Sequence, residues 1–326
     1  MRRRLKVLYL PHPPQLRFPW MADLEKALNS QHEFRMHDEG APLKPQIEDV
    51  DVVVDHGGGH STREMADAAI SVKLWQILGT GFESFDIPYW RSKGIPVANT
   101  PGPFSAPALA ECALMFMLML AHRWHEGEAD LQRHFLYGTM AEELEDRLLL
   151  LFGFGASARA LASRALGCRM RIAAIEIRDV PEADRREFKL ESVGKPEDLE
   201  RLLPTCDYLS LHLHLNPETR HVINAERLKL MKPSAYLINV ARGALVDEQA
   251  LYQSLAEGRL AGAGLDVFGT EPPDLENPLF KLPNVVVTPH IAGATDGTSR
   301  RRAACVAENV DRIAQGLEPK YRVDQP

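Results

Sequence analysis

The chain has 326 residues, 45% hydrophobic and 25% charged, which is more than one hydrophobic core usually serves, so two domains are expected. A formal net charge of -7 argues against a nucleic acid or an anionic membrane as partner. Cys112, Cys168, Cys206 and Cys305 lie far apart with no C-x-x-C spacing, which points to free thiols in a reducing cytoplasm and against a disulfide framework or a zinc site.

The start, MRRRLKVLYL, has an apolar run of only about five residues before PHPP, too short for the core of a signal peptide, and reads as an opening strand. From there short apolar runs alternate with helical patterns, the mark of a parallel α/β sheet covered on both faces. Strands are expected at KVLYL, DVDVVVD, LWQILGT and IPVANT, and a helix after GGGH, where Ser61 and Glu64 have capping-box spacing. TPGP at 100–103 interrupts the series. A long amphipathic helix then runs from Ser105 to about His122. Its segment CALMFMLMLAH is about half the length a bilayer requires, so it is expected to be a buried helix of a soluble chain. A second series follows, with strands at RLLLLFG, RIAAIE, DYLSLHL, AYLINV, AGAGLDV and NVVVTPH. The C-terminal helix, from about Thr298, is placed on the smaller first domain. The expected class is therefore α/β, with two doubly wound parallel-sheet domains. Residues 1–101 and 293–326 form a discontinuous substrate domain, and 102–292 form a nucleotide domain inserted into it.

The second series opens on LLLLFGFGASARAL, Leu148 to Leu161. In a G-x-G-x-x-G turn the first two glycines allow a sharp bend and a close approach of backbone N–H groups to a pyrophosphate, and the third lets the helix pack on the strand. Gly153 and Gly155 are present here, and Ala158 adds one methyl at the packing position alone. The alanine-rich helix that follows presents its N-terminus to the loop, which suits an anion. Strand RIAAIE ends in Glu176, 23 residues after Gly153 and close to the ~20-residue offset at which an acid holds the adenine-ribose diol. Together these features point to dinucleotide binding, against the plainer alternative of a structural turn. Glu176 also repels a 2′-phosphate, so NAD is expected over NADP, with Arg178 near enough to weaken the preference.

INVARGALVD, FGTEPP and VVVTPHIAG carry the remaining chemistry. Arg242 and His290 each follow an apolar strand whose end belongs at the ligand-binding edge of the sheet, and Glu271 lies in the Pro-rich loop after GLDV. Taken singly these are a surface salt-bridge donor, a loop histidine and a solvated acid. As a set beside a nucleotide site they suit reduction of a 2-oxo acid, with a guanidinium fork for the carboxylate and an imidazole as acid for the developing alkoxide.

LMKPSAYLINVARGALVDEQAL, GRLAGAGLDVFGTEP and NPLFKLPNVVVTPHIAGAT resemble the signature blocks of the D-isomer-specific 2-hydroxyacid dehydrogenase family. Weaker similarity extends through GTGFESFD, GIPVANTPGP and PALAECALMFMLMLA. The resemblance implies a Rossmann-like nucleotide domain inserted into a flavodoxin-like substrate domain, NAD as cofactor, a small 2-oxo or 2-hydroxy acid as substrate and a homodimer. It implies that Arg242 binds and polarises the substrate, that His290 is the acid in reduction and the base in oxidation, and that Glu271 orients His290. Asp266 would meet the nicotinamide carboxamide. Gly155, Ala156, Ser157, Ala158, Glu176, His212, Leu213, Thr219, Val240 and Ala241 match positions that line NAD, and the backbone N–H groups of Thr80 and Gly81 would receive the substrate carboxylate.

Several positions depart from the family pattern. Arg169 stands where glycine is usual, and His214 where proline is common. His212 and His214 share a strand face, but nothing supplies further ligands, so no metal is expected. VVDHGGGHST offers His56 and His60 around three glycines and no phosphate anchor, which weakens a phosphoglycerate reading. Glu271 argues against the formate dehydrogenase branch, which uses glutamine beside its histidine. The alternative function is a catalytically silent NAD(H)-sensing or corepressor-type protein on the same fold, and turnover separates the two.

Overall fold

The computed structural model describes residues 3–11, 19–56, 61–83 and 85–325. The expectation for the GGGH segment, His60 included, falls at 57–60, outside the described residues. The chain forms two compact units, Met1–Ser105 with Thr295–Pro326, and Ala106–Ala294.

In the first unit the parallel strands β1 (Lys6–Leu10), β2 (Glu33–Met36), β3 (Val52–Asp55), β4 (Leu74–Ile77) and β5 (Val97–Ala98) stand in the order β2-β1-β3-β4-β5. Alternate residues of a strand face opposite sides, and here both sides are covered. Val7, Tyr9, Val52, Val54 and Leu74 enter one core together with Ala303, Val306 and Val310 of the helix Asp296–Ala314. Leu8, Leu10, Val53, Trp75 and Ile77 enter the other.

The second unit holds β6 (Leu148–Phe152), β7 (Arg171–Ile175), β8 (Leu190–Gly194), β9 (Tyr208–Leu211), β10 (Tyr236–Asn239), β11 (Gly262–Leu265) and β12 (Val285–Val287). Their order is β12-β11-β10-β9-β6-β7-β8, and every pairing is parallel. The run LLLLF explains itself here: Leu148, Leu150 and Phe152 fill one core while Leu149 and Leu151 fill the other. The apolar helix Ala106–Ala121 belongs to the second of these cores through Ala110, Ala113, Phe116, Met117, Leu120 and Ala121. Among the described residues no single helix is long and apolar enough to cross a membrane. Strand order reverses beside β1 in the first unit and beside β6 in the second, so both sheets are doubly wound.

Three local features differ from, or add to, the sequence expectations. β2 and β8 are edge strands with half-open, charge-bearing faces, and their hydrophobic pattern is too weak to announce them. The helix Arg63–Ala68 is capped by Thr62, whose hydroxyl accepts the Met65 N–H at 3.2 Å. Ser61 does not cap it, because its hydroxyl donates to Asp55 and accepts from Trp75 Nε1. Arg169 takes φ 56°, a left-handed turn position that glycine adopts with less strain.

Candidate active site

The residues singled out in the second unit all follow strands at one edge of its sheet. The turn 153–158 follows β6, Glu176 follows β7, His212 and Leu213 follow β9, Val240 to Arg242 follow β10, Asp266 follows β11, and His290 lies beyond β12. Ligands of open α/β sheets bind outside this carboxyl edge, where the winding reverses, here between β6 and β9.

The two glycines of the turn are required for different reasons. Gly153 has φ +88°, and a Cβ there would stand 2.6 Å from the carbonyl oxygen of His212, so the fold itself demands glycine. Gly155 has φ -80°, open to any residue, and a Cβ there meets nothing within 4 Å. Its lack of a side chain therefore keeps a space clear. That space lies at the start of the helix Ala156–Gly167, which has no side-chain cap for its opening N–H groups at Ala156, Ser157 and Ala158. Ala158 is fully buried at the packing position. Such a cradle fits a pyrophosphate.

Glu176 is 8% exposed and turns back to the cradle: Oε2 accepts the Phe154 N–H at 2.8 Å, and Oε1 accepts Arg178 N–H and Nε, each at 3.1 Å. Burial alone pushes its carboxyl up, but the bonds from Arg178 and Phe154 outweigh that and hold it below the usual range. His212 is clamped between Ser157 Oγ and Ser210 Oγ, both at 2.9 Å, and burial drives its pKa down to about 3, so it is a neutral brace between the turn and β9. Leu213 packs on the core beside it. The Thr219 hydroxyl donates to the His214 carbonyl at 2.7 Å and fixes the loop after β9. His214 is exposed, and among the described residues no group of three or more His, Cys, Asp or Glu is placed to hold a metal ion.

Past β10, Val240 and Ala241 are buried, and the side chain of Asn239 staples the turn. Its Nδ2 donates to the Arg242 carbonyl at 2.9 Å, and its Oδ1 accepts the Ala241 N–H at 3.1 Å. Gly243 brings this turn against the next loop, since a Cβ there would overlap the Phe268 carbonyl carbon at 1.9 Å. Arg242 Nη1 donates to the Ala241 carbonyl at 2.7 Å.

Asp266 has no exposed surface and staples the loop beyond β12. It accepts from Thr288 Oγ1 at 2.6 Å, and from the N–H groups of Ile291 and Ala292 at 2.8 Å each. Burial raises its pKa against these bonds. The clamp holds His290 at φ 54°, a left-handed conformation that is uncommon for a residue with a side chain. Asn239 and Thr288 thus position the site, a task their place in the sequence does not announce.

His290 Nδ1 is 2.7 Å from Glu271 Oε2, and Glu271 Oε1 accepts the Phe268 N–H at 3.0 Å. An ionised carboxylate only accepts, so Nδ1 carries a proton and Nε2 is the atom that gains or loses one. Among the described residues Nε2 has no hydrogen-bond partner. The bond to Glu271 raises the His290 pKa, helped by the charges of Glu271 and Asp266 and opposed by burial and by Arg242. Burial raises Glu271, but His290 and Phe268 outweigh it and its pKa falls. The carboxylate beside the ring favours its protonated form.

In the first unit, Thr80 and Gly81 follow β4. The Thr80 carbonyl accepts from Asn99 Nδ2 at 2.7 Å, and among the described residues neither the Thr80 nor the Gly81 N–H has an acceptor.

A family model described as "D-isomer specific 2-hydroxyacid dehydrogenase, NAD binding domain" matches residues 114–292. A glyoxylate reductase of Thermococcus litoralis is 38% identical over 293 residues, 87% of this chain and 86% of that one. A hydroxypyruvate reductase of Thermotoga maritima is 35% identical over 278 residues, 84% of this chain and 88% of that one. A crystal structure of a Thermus thermophilus protein superposes with a TM-score of 0.83 at 32% identity, covering 98% of this chain and all of the other.

Proposed function

Because the chain belongs to the D-isomer specific 2-hydroxyacid dehydrogenase family, whose NAD-binding domain takes a nicotinamide cofactor, we propose that it reduces a small 2-oxo acid with NADH and in reverse oxidises the D-2-hydroxy acid. The turn 153–158 holds the pyrophosphate and Glu176 the adenine ribose. His212, Leu213, Thr219, Val240 and Ala241 flank the dinucleotide, and Asp266 faces the carboxamide. The nicotinamide's contribution is the hydride. Arg242 grips the substrate carboxylate and leans on the reacting carbonyl, and the N–H groups of Thr80 and Gly81 are the carboxylate donors that the first unit offers. His290 gives its Nε2 proton to the developing alkoxide and takes it back in oxidation. Glu271 orients the ring and keeps it charged.

The observation that carries this reading is the 2.7 Å bond from His290 Nδ1 to Glu271, which leaves Nε2 for the substrate. Following NADH oxidation over a panel of 2-oxo acids tests it. NADH binding with no turnover of any of them would favour the silent, NAD(H)-sensing alternative.

Two predictions follow from the charges. His290 has a raised pKa, so its acid form persists above the ordinary histidine range, and reduction is expected to fall only as pH rises through that raised value. Glu271→Gln removes the main cause of the rise, and the fall should then begin at lower pH. A pH–rate profile that stays in place or moves up contradicts the pairing, with the chemical step made limiting.

For the cofactor, Glu176 is expected to favour NADH over NADPH by about tenfold or more in kcat/KM, since a buried carboxylate held ionised accepts a diol and repels a phosphate. Equal or better turnover with NADPH would mean that Arg178, whose side chain is 74% exposed, overrides it.

Four free thiols suit a cytoplasmic location. Trp124, Leu131, Phe135, Leu136, Tyr137 and Met140 are all more than half exposed in the segment after the helix Ala106–Ala121. A run of exposed apolar side chains this dense suits a second copy of the chain, and sedimentation at a monomer's mass would remove that part of the proposal.

A further inference from the structure

The segment that carries Glu271 is exposed from Gly269 onward, yet its carboxylate meets His290 at 2.7 Å. Phe268 anchors one end, buried and edge-on to Phe280 with ring centroids 5.2 Å apart. The Phe268 N–H donates to Glu271 itself, which shapes the segment without fixing it to the rest of the unit. The next anchor is a side chain from another element, Glu248, the first residue of the helix Glu248–Ala256. Its Oε1 accepts the Gly269 N–H at 2.5 Å. Among the described residues no other hydrogen bond ties Gly269 or Thr270 to another element.

Glu248 stands on firm ground. Its helix starts shortly after the turn that carries Arg242, and Asp247 caps it, accepting the Ala250 N–H at 3.1 Å. The Asp247 N–H in turn donates to the Ile223 carbonyl at 2.9 Å, and Ala250 and Leu251 are buried. A helix opening favours the ionised form of a carboxylate, and an ionised acceptor makes the stronger bond to a backbone N–H. Gly269 completes the fit. A Cβ there would stand 3.3 Å from the Glu248 carboxyl carbon, so glycine lets the carboxylate lie against the backbone. Among the described residues the Gly269 N–H is the one group that the Glu248 carboxylate holds.

We propose that Glu248 is a positioning residue for the reaction: by holding the Gly269 N–H it keeps the Glu271 carboxylate in register with His290 Nδ1. Without that bond the stretch between Phe268 and Glu271 gains freedom, and Glu271 spends less time within reach of the ring. The reduction then loses both the orientation and the charge that Glu271 gives His290. Glu271, Asp266 and Arg242 are the charged groups that face His290, and a substitution at 248 replaces none of them. The proposal rests on the reading of the chain as a 2-oxo acid reductase.

Three substitutions separate the bond from the charge. Glu248→Gln keeps an acceptor oxygen within reach of Gly269 and loses the charge. Glu248→Asp keeps the charge at the helix opening but is one methylene too short, and Glu248→Ala loses both. With chemistry limiting, alanine and aspartate should each lower kcat about tenfold for the best 2-oxo acid, with NADH affinity within about threefold. In both, the alkaline fall of the reduction rate should begin about half a pH unit or more lower. Glutamine should stay within about threefold in kcat and leave the fall in place. NMR titration of the His290 imidazole, its signal assigned by its loss in His290→Asn, reads the same downward shift without turnover. A titration and a pH profile that Glu248→Ala leaves in place overturn the proposal. So does glutamine behaving as alanine does, which would assign the effect to charge, or an NADH affinity that falls as far as kcat, which would make Glu248 a support of the fold. If no 2-oxo acid turns over, the reductase reading fails, and the titration alone decides whether Glu248 positions the pair.

Discussion

Gly155→Val is expected to weaken NADH binding by at least about 100-fold, nearly 3 kcal/mol, while the protein stays folded. The separation of the two effects follows from the local geometry. At φ -80° a side chain at 155 brings no backbone strain, and its Cβ enters open space, so the unliganded fold has little reason to object. The valine methyls then occupy the ground over the opening N–H groups of the helix Ala156–Gly167, where the pyrophosphate is proposed to sit. Gly153→Ala gives the opposite pattern. The left-handed backbone and the 2.6 Å approach to the His212 carbonyl penalise the fold directly, and thermal unfolding should register it before any cofactor is added. Ala158→Gly removes a buried methyl and some helix propensity, about 1 kcal/mol of stability, and should leave NADH affinity within a few-fold. Fluorescence titration of NADH with a melting curve for each variant checks the set. Small and equal effects of Gly155→Val and Ala158→Gly on affinity would sink the cradle.

The sequence announces these glycines but not the division of labour between them. A motif says that glycine stands at 153 and 155, whereas only φ and the distance to His212 tell which one the fold needs. Legibility elsewhere follows the same line. Central strands such as LLLLF and DVDVVVD are plain because burial on both faces demands an unbroken apolar run. β2 and β8 are not, because an edge strand with one open face tolerates Glu33, Arg35, Glu191 and Ser192. Ser61 has the spacing of a cap, yet Thr62 caps the helix because Asp55 and Trp75, remote in sequence, compete for the Ser61 hydroxyl. Arg242, Glu271 and His290 stand out by residue type and by their places after apolar strands. The clamp of Asp266 on Thr288, Ile291 and Ala292 stays hidden, since it joins residues more than 20 positions apart whose types are ordinary.

Arg242→Lys carries the claim that the substrate is a 2-oxo acid. The backbone at 242 is fixed by Asn239 on one side and by the close approach of Gly243 to Phe268 on the other, so the side chain leaves the turn from a defined point. From there a planar guanidinium can hold both oxygens of a carboxylate in fixed direction while one N–H leans on the adjacent carbonyl. Lysine keeps the positive charge, but its single ammonium point has neither the two parallel bonds nor the fixed plane. The loss of alignment is expected to cost roughly 2–4 kcal/mol of transition-state stabilisation, about 30- to 1,000-fold in kcat/KM. NADH affinity should change far less, because Asn239 and Gly243 hold the turn whichever side chain stands at 242. An uncharged ketone matched in size to the 2-oxo acid supplies the control. It should be a poor substrate of the natural enzyme and should lose little more on mutation, since it has no carboxylate to misplace. If acid and ketone suffer alike, Arg242 serves the fold or the dinucleotide, and the group that recognises the carboxylate lies elsewhere in the chain.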